Sequence, residues 1–304
     1  MKKVIALIVL TGTIFATMEV ALKTAGNNLD PLQLTAIRFL IGGLFLAPFA
    51  IPESREKGYR LNVKDVIWMS AVGIMGIPVS MLAFQIGVMN CNAATASSLI
   101  CTNPLFAMVI AHLFTTEKMD RRKWIAFGLG IIAVIFMIRP WDVQEGNSFK
   151  GIVIMLFSAA TFGAYSVMGK RSIGRIGTFM QTSVSFIMGS LILLVFTFVL
   201  GHPVISGVGQ NIGVVLYAGI VVTGIGYLSY FTAIKESDAS TGSIAFFVKP
   251  AIAPIFAITI LGETIYWNTV VGIILLIFAS VLTIIDAIVK RSAEKSGTAV
   301  SDHN

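Results

Sequence analysis

The sequence predicts an all-α membrane protein of ten transmembrane helices arranged as two inverted five-helix repeats. Three observations carry this. First, the hydrophobic fraction of the 304 residues is 56% and the charged fraction only 12%, with a mean hydropathy of +0.87, which a water-facing surface would not tolerate. Second, apolar runs recur along the whole chain at the length of about 20 residues needed to cross hydrocarbon. Third, the second half repeats the pattern of the first.

Ten runs qualify in chain order: 4–24, 32–52, 66–88, 93–115, 122–139, 151–169, 178–200, 212–234, 240–261 and 268–289. They are continuous runs and not ten-residue alternations, so helices are expected and a β-barrel is not. The first run follows Met1-Lys2-Lys3 but carries Glu19 and Lys23 and lacks a small-residue cleavage site, so it reads as a retained helix. Connections are short except around Glu53 to Lys64 and Pro140 to Lys150, leaving no room for a soluble domain. The expected organisation is a first repeat over 1–140, an outer loop over 141–150, a second repeat over 151–290 and a disordered tail over 291–304.

Basic residues orient these helices. Placing both termini and every second loop on one side gathers Lys2, Lys3, Arg55, Lys57, Lys170, Arg171 and most of the 22 lysines and arginines there, against Lys23, Arg139 and Lys150 opposite. The positive-inside bias then puts both termini in the cytoplasm, with the chain in the cell's inner (plasma) membrane. Trp68, Trp124, Trp141 and Trp267 all fall at helix ends, as interfacial anchors do. The excess of positive charge is thereby explained by topology, and no nucleic acid partner is expected.

The repeat is visible in two stretches whose offsets are nearly identical. "CNAATASSLICTNPLFAMVIAHLFTTE" lies over "SDASTGSIAFFVKPAIAPIFAITILGE", placing Pro104 on Pro250 and Glu117 on Glu263. Likewise "IFATMEVALK" lies over "TFGAYSVMGK", placing Lys23 on Lys170, and further on Gly42 meets Gly189. Five helices per half is an odd number, so the halves enter the membrane from opposite sides, the inverted repeat of many carriers.

These stretches resemble the drug/metabolite transporter superfamily, specifically its ten-helix EamA-type members. The resemblance covers about 5–139 and 151–287 and is strongest in "NPLFAMVIAHLFTTEKMDRRKWIAFGLGIIAV" and "KPAIAPIFAITILGETIYWNTVVGIILLIFA", each with a proline, an apolar run, a helix-end Glu and a glycine-bearing helix. Where such proteins usually carry Trp-Gly in the first helix, this chain has Phe15-Ala16. The resemblance implies a carrier of small metabolites, often amino acids or their derivatives, or drugs, commonly in the export direction.

Few residues in the spans can carry chemistry. Lys249 stands about 14 Å from the cytoplasmic start of its helix, at the bilayer midplane, where its stem reaches neither headgroup layer. The following Pro250 removes a backbone hydrogen bond and favours a kink beside the charge. Binding an anionic substrate group is the favoured reading, with an ion pair to Glu19 and deprotonated burial as alternatives. Asn103, before Pro104, is its symmetry mate. Glu19 lies about 8 Å from the outer end of the first helix and is expected to pair with Lys23, to pair with Arg38, or to titrate. Arg38, at similar depth with Thr35 and Gly42 on its face, keeps its charge in any setting. It pairs with Glu19 or clamps a substrate carboxylate. Tyr165, Tyr227, Tyr230 and Phe246 are candidate pocket walls, and Gln85 a further polar contact. Glu117 and Glu263, at span ends, read as local interfacial groups away from substrate.

One carboxylate with two cations suits a zwitterion or carboxylate. The sequence therefore points to a secondary carrier of small metabolites, leaning to amino acids or related carboxylates, working by alternating access. A proton-coupled antiporter of cationic drugs using Glu19 is the alternative, with a proton or cation as coupling partner. A membrane-embedded enzyme or receptor belongs to a different class, and no His/Cys ligand set, Ser-His-Asp arrangement or phosphate-cradling Gly-Lys-Ser/Thr motif occurs to support it. No cofactor is expected. The expected partners are a small-molecule substrate and the lipid bilayer, with the chain acting as a monomer or homodimer. Cys91 and Cys101 have no metal-ligand spacing and read as reduced structural residues.

Overall fold

The computed structural model describes residues 2–58, 62–116, 119–139, 145–236 and 245–295, with the side chains of 234–236, 245–248, 280 and 283–295 excluded. Among the described residues ten helical segments follow one another, as the apolar runs predict. They are α1 (Lys2–Gly26), α2 (Pro31–Glu56), α3 (Val63–Met89), α4 (Ala93–Phe114), α5 (Arg121–Ile138), α6 (Phe149–Ile176), α7 (Thr178–Val199), α8 (212–236), α9 (Ala245–Leu261) and α10 (Trp267–Lys295). The last helix continues to Lys295, past the boundary expected at residue 290.

Local chemistry sets the boundaries. Asp30 caps α2, accepting from Leu32 N at 2.8 Å, and Pro31 occupies the first turn, where its missing N–H costs nothing. Asn62 and Asp65 form a reciprocal capping box at α3. Asp120 and Ser148 cap α5 and α6. Gly262, at φ +66°, ends α9.

Packing is pseudo-symmetric. α2 lies against α7 at the centre, α5 against α10 at the edge, α1 against α9 as α6 lies against α4, and α2 against α8 as α7 lies against α3. Glycine makes the last two contacts close. A Cβ at Gly42 would meet Gly219 O at 3.3 Å, and one at Gly189 would meet Gly73 O at 2.5 Å. Close approach of this kind is how helices associate where lipid supplies no hydrophobic drive.

Four spans depart from a regular helix, each near a candidate site residue. α1 breaks at Thr17, two residues before Glu19, and α4 breaks at Cys101-Thr102, immediately before Asn103. α3 and α8 each contain a π-helical stretch, Met75–Met81 and Tyr217–Ile225, at overlapping positions of the two repeats. Such stretches concentrate at functional sites, because the widened turn frees backbone groups and re-aims side chains.

Candidate functional site

Glu19 and Lys249 meet in the interior. The Lys249 Nζ lies 2.5 Å from Glu19 Oε1, and the two residues are 1% and 0% exposed. α1 positions the carboxylate just past its break at Thr17, whose hydroxyl donates to Ile14 O at 2.7 Å and contacts the Tyr217 hydroxyl at 2.6 Å. α9 supplies the lysine inside a helix that also holds Pro250 and Pro254. The ammonium lies 5.7 Å from the Phe84 ring centroid of α3.

Arg38 does not make the expected pair with Glu19. It is 1% exposed, stacks 4.2 Å over its neighbour Phe39, and its Nε and Nη2 have no hydrogen-bond partner among the described residues. Glu19 remains within electrostatic reach of both Lys249 and Arg38. The lysine took the carboxylate because α1 packs along α9 far more extensively than along α2. Among the described residues, this central group therefore holds two cations and one carboxylate, a formal excess of one positive charge. A guanidinium cannot relieve that excess by losing its proton, and a buried charge costs several kcal/mol unless it is paired.

The other predicted residues fall around this group. Gln85 is fully buried, donates to Leu22 O at 3.3 Å one turn from Glu19, and leaves its Oε1 without a partner among the described residues. Asn103 is 6% exposed at the restart of α4. Tyr227 faces Arg38 electrostatically and packs edge-on to Phe15 and Phe186 at 5.2 and 5.1 Å. Tyr230 lies 6.4 Å from Phe15, and Tyr165 is within reach of both other tyrosines. The Phe246 side chain lies outside the described residues.

Glu263, read as an interfacial group away from substrate, finds its partners on other helices and not locally. Its carboxylate takes Lys23 Nζ at 2.6 Å and Ala93 N, at the start of α4, at 2.7 Å, while Lys23 also donates to Cys91 O at 3.0 Å. Lys23 thus pairs across the repeats, not with Glu19. This cluster ties the ends of α1 and α9 to the start of α4 on the face opposite the N-terminus. Ser148 and Asn92 add bonds there to Asn90 O and Glu145 O. Glu117, the repeat mate of Glu263, lies outside the described residues. Cys91, beside the cluster, has its thiol pushed up to about 12, chiefly by burial; both cysteines are free.

Three buried hydroxyls, Thr11, Thr35 and Ser97, have no hydrogen-bond partner among the described residues, and sequence reasoning named only Thr35, without giving it a role. Thr35 shares the face of Arg38 one turn away. Thr11 and Ser97 carry no signal beyond a hydroxyl inside an apolar run. No group of His, Cys, Asp or Glu able to hold a metal occurs among the described residues.

The EamA-like transporter family matches residues 2–139 and again 149–285. The chain belongs to that family. The transporter is 35% identical over 289 residues to an uncharacterized transporter of Clostridium kluyveri, covering 93% of each chain. It is 27% identical to the uncharacterized transporter YoaV of Bacillus subtilis, covering 91% of this chain and 94% of that one. A solved crystal structure at 14% identity superposes with a TM-score of 0.64 over 92% of the transporter and 96% of that chain, which is a likeness of fold. The transporter is therefore a multi-pass membrane protein of two inverted repeats.

Proposed function

We propose that this transporter is a secondary carrier of small carboxylate-bearing metabolites, amino acids or related organic acids, exporting them across the inner membrane by alternating access. The observation that carries the reading is Arg38, a buried guanidinium whose Nε and Nη2 have no partner among the described residues, beside an ion pair that is already neutral. A substrate carboxylate supplies the missing negative charge and the acceptors those donors lack. Lys249, the favoured anion ligand on sequence grounds, is occupied by Glu19, so it serves as the second cation that such a carboxylate can recruit. Tyr165, Tyr227 and Tyr230 wall the site, and Gln85 and Asn103 contribute polar contacts.

The same geometry supports a direction of motion. The face opposite the N-terminus is held by Lys23, Glu263 and Ala93 N. With the basic loops in the cytoplasm, a closed outer face favours loading of substrate from inside. Thermal unfolding of the purified protein against matched acids, amides and amines tests the reading, because a ligand that binds the folded state raises its stability by mass action. Stabilisation by carboxylates, lost in Arg38→Gln, is expected. Stabilisation by quaternary amines that depends on Glu19 supports the drug antiporter instead.

A further inference from the structure

A cleft between α4 and α6 on the N-terminal face is built unlike a passage for a polar metabolite. Its larger compartment, about 870 Å³, is walled by the last turns of α4 and by α6, through Ala107, Met108, Ala111, Phe114 and Val167. A second compartment of about 530 Å³ adjoins it and is lined by Trp68, Arg171, Ser172 and Arg175. Trp68 and Arg171 border both, with the guanidinium 5.4 Å over the indole. An apolar channel thus runs directly into a cationic one.

We propose that this groove is a binding site for an anionic glycerophospholipid, with an acyl chain along α4 and the phosphate at Arg171. Two independent features point to such a ligand. The described lining of the polar compartment includes Arg171 and Arg175 and no carboxylate, with Lys170 at the edge of the larger compartment, so the polar compartment favours an anion even though Asp65 engages Arg175. The Trp68 Nε1 is buried and has no hydrogen-bond partner among the described residues, leaving a donor for a phosphate or glycerol oxygen. The apolar compartment selects against a free phosphate, which has nothing to place there. The site also sits at the right depth: Phe114, at the end of α4, is 80% exposed, where a bilayer replaces water with acyl chains. Basic pockets between transmembrane helices hold acidic headgroups in this way.

The test compares purified protein in neutral detergent supplemented with phosphatidylglycerol or with phosphatidylcholine of the same chains, following the thermal midpoint. A rise of several degrees with phosphatidylglycerol beyond that with phosphatidylcholine is expected. Arg171→Gln should lose at least half of the difference, Arg171→Lys should keep most of it, and Lys3→Gln, on the same face outside the groove, should keep all of it. Photo-crosslinking of the wild-type protein by a phosphatidylglycerol carrying its reactive group in the acyl chain should label α4 or α6, which keeps the proposal testable should Arg171→Gln fail to fold. Equal effects of the two lipids, an undiminished difference in Arg171→Gln, an equal loss in Lys3→Gln, a full shift from glycerol phosphate alone, or crosslinks confined to other helices would each overturn it.

Discussion

Replacing Lys249 by glutamine strips the partner from a carboxylate that is fully buried, and the cost follows from the geometry. At 2.5 Å and an effective dielectric of about 20, the gross attraction is about 7 kcal/mol. Desolvating both ions offsets most of that, so the pair adds little net stability while intact. Breaking it is another matter, because one charge then stays buried and uncompensated. Lys249→Gln and Glu19→Gln should each lose about 3–5 kcal/mol. The double variant leaves neither charge stranded, and its loss should fall short of the sum by about 2 kcal/mol or more, roughly thirty-fold in the unfolding equilibrium. The assay is reversible unfolding in mixed micelles titrated with a denaturing detergent, read by tryptophan fluorescence across the four proteins. Additivity within about 0.5 kcal/mol would refute the claim that this pair organises the core. Pairing Arg38→Gln with Glu19→Gln in the same assay should give weaker coupling, since that guanidinium does not touch the carboxylate.

Other expectations follow from single contacts. Glu263→Gln loosens the cluster on the face opposite the N-terminus, so native Cys91 in a Cys101→Ser background should react with a small thiol reagent at least ten-fold faster than in the parent. Because burial pushes the Cys91 thiol up to about 12 from an ordinary value of 9.0, its contribution to stability is full below about pH 9 and is lost as pH rises toward 12. The slope is at most about 1.4 kcal/mol per pH unit for one proton, and thermal midpoints of Cys91→Ser should fall less steeply between pH 9 and 10.5 than those of the parent. Gly73→Ala places a Cβ 2.3 Å from Ser185 O, and should cost about 1–3 kcal/mol by forcing α3 from α7.

Much of the architecture was legible in the residues because a bilayer imposes one length and one polarity on every span. The ten apolar runs became ten helices with ends shifted by a few residues, mostly to caps such as Asp30 and Ser148 that lie outside the hydrophobic window. Depth was legible as well: Glu19, Arg38 and Lys249 are buried to within 1%. Pairing was not. A helical face gives the direction of Glu19 but not whether α2 or α9 packs closer, and both offered a cation. Glu263 was discounted because a carboxylate at a span end has water available to it, and only the fold brings Lys23 and Ala93 N onto it. The π-helical stretches leave no pattern beyond scattered Gly and Pro, since a single inserted residue changes the phase of a helix without changing its composition.

The central claim, that Arg38 receives a substrate carboxylate, is tested most directly by transport. Proteoliposomes holding the purified protein should be given a radiolabelled pool of amino acids and organic acids beside the corresponding amides, with Arg38→Gln and Arg38→Lys measured in parallel. The account predicts that carboxylate-bearing solutes accumulate, that their amides do not, and that Arg38→Gln abolishes the accumulation while remaining folded. Equal movement of acids and amides, or carboxylate transport undiminished in Arg38→Gln, would contradict it.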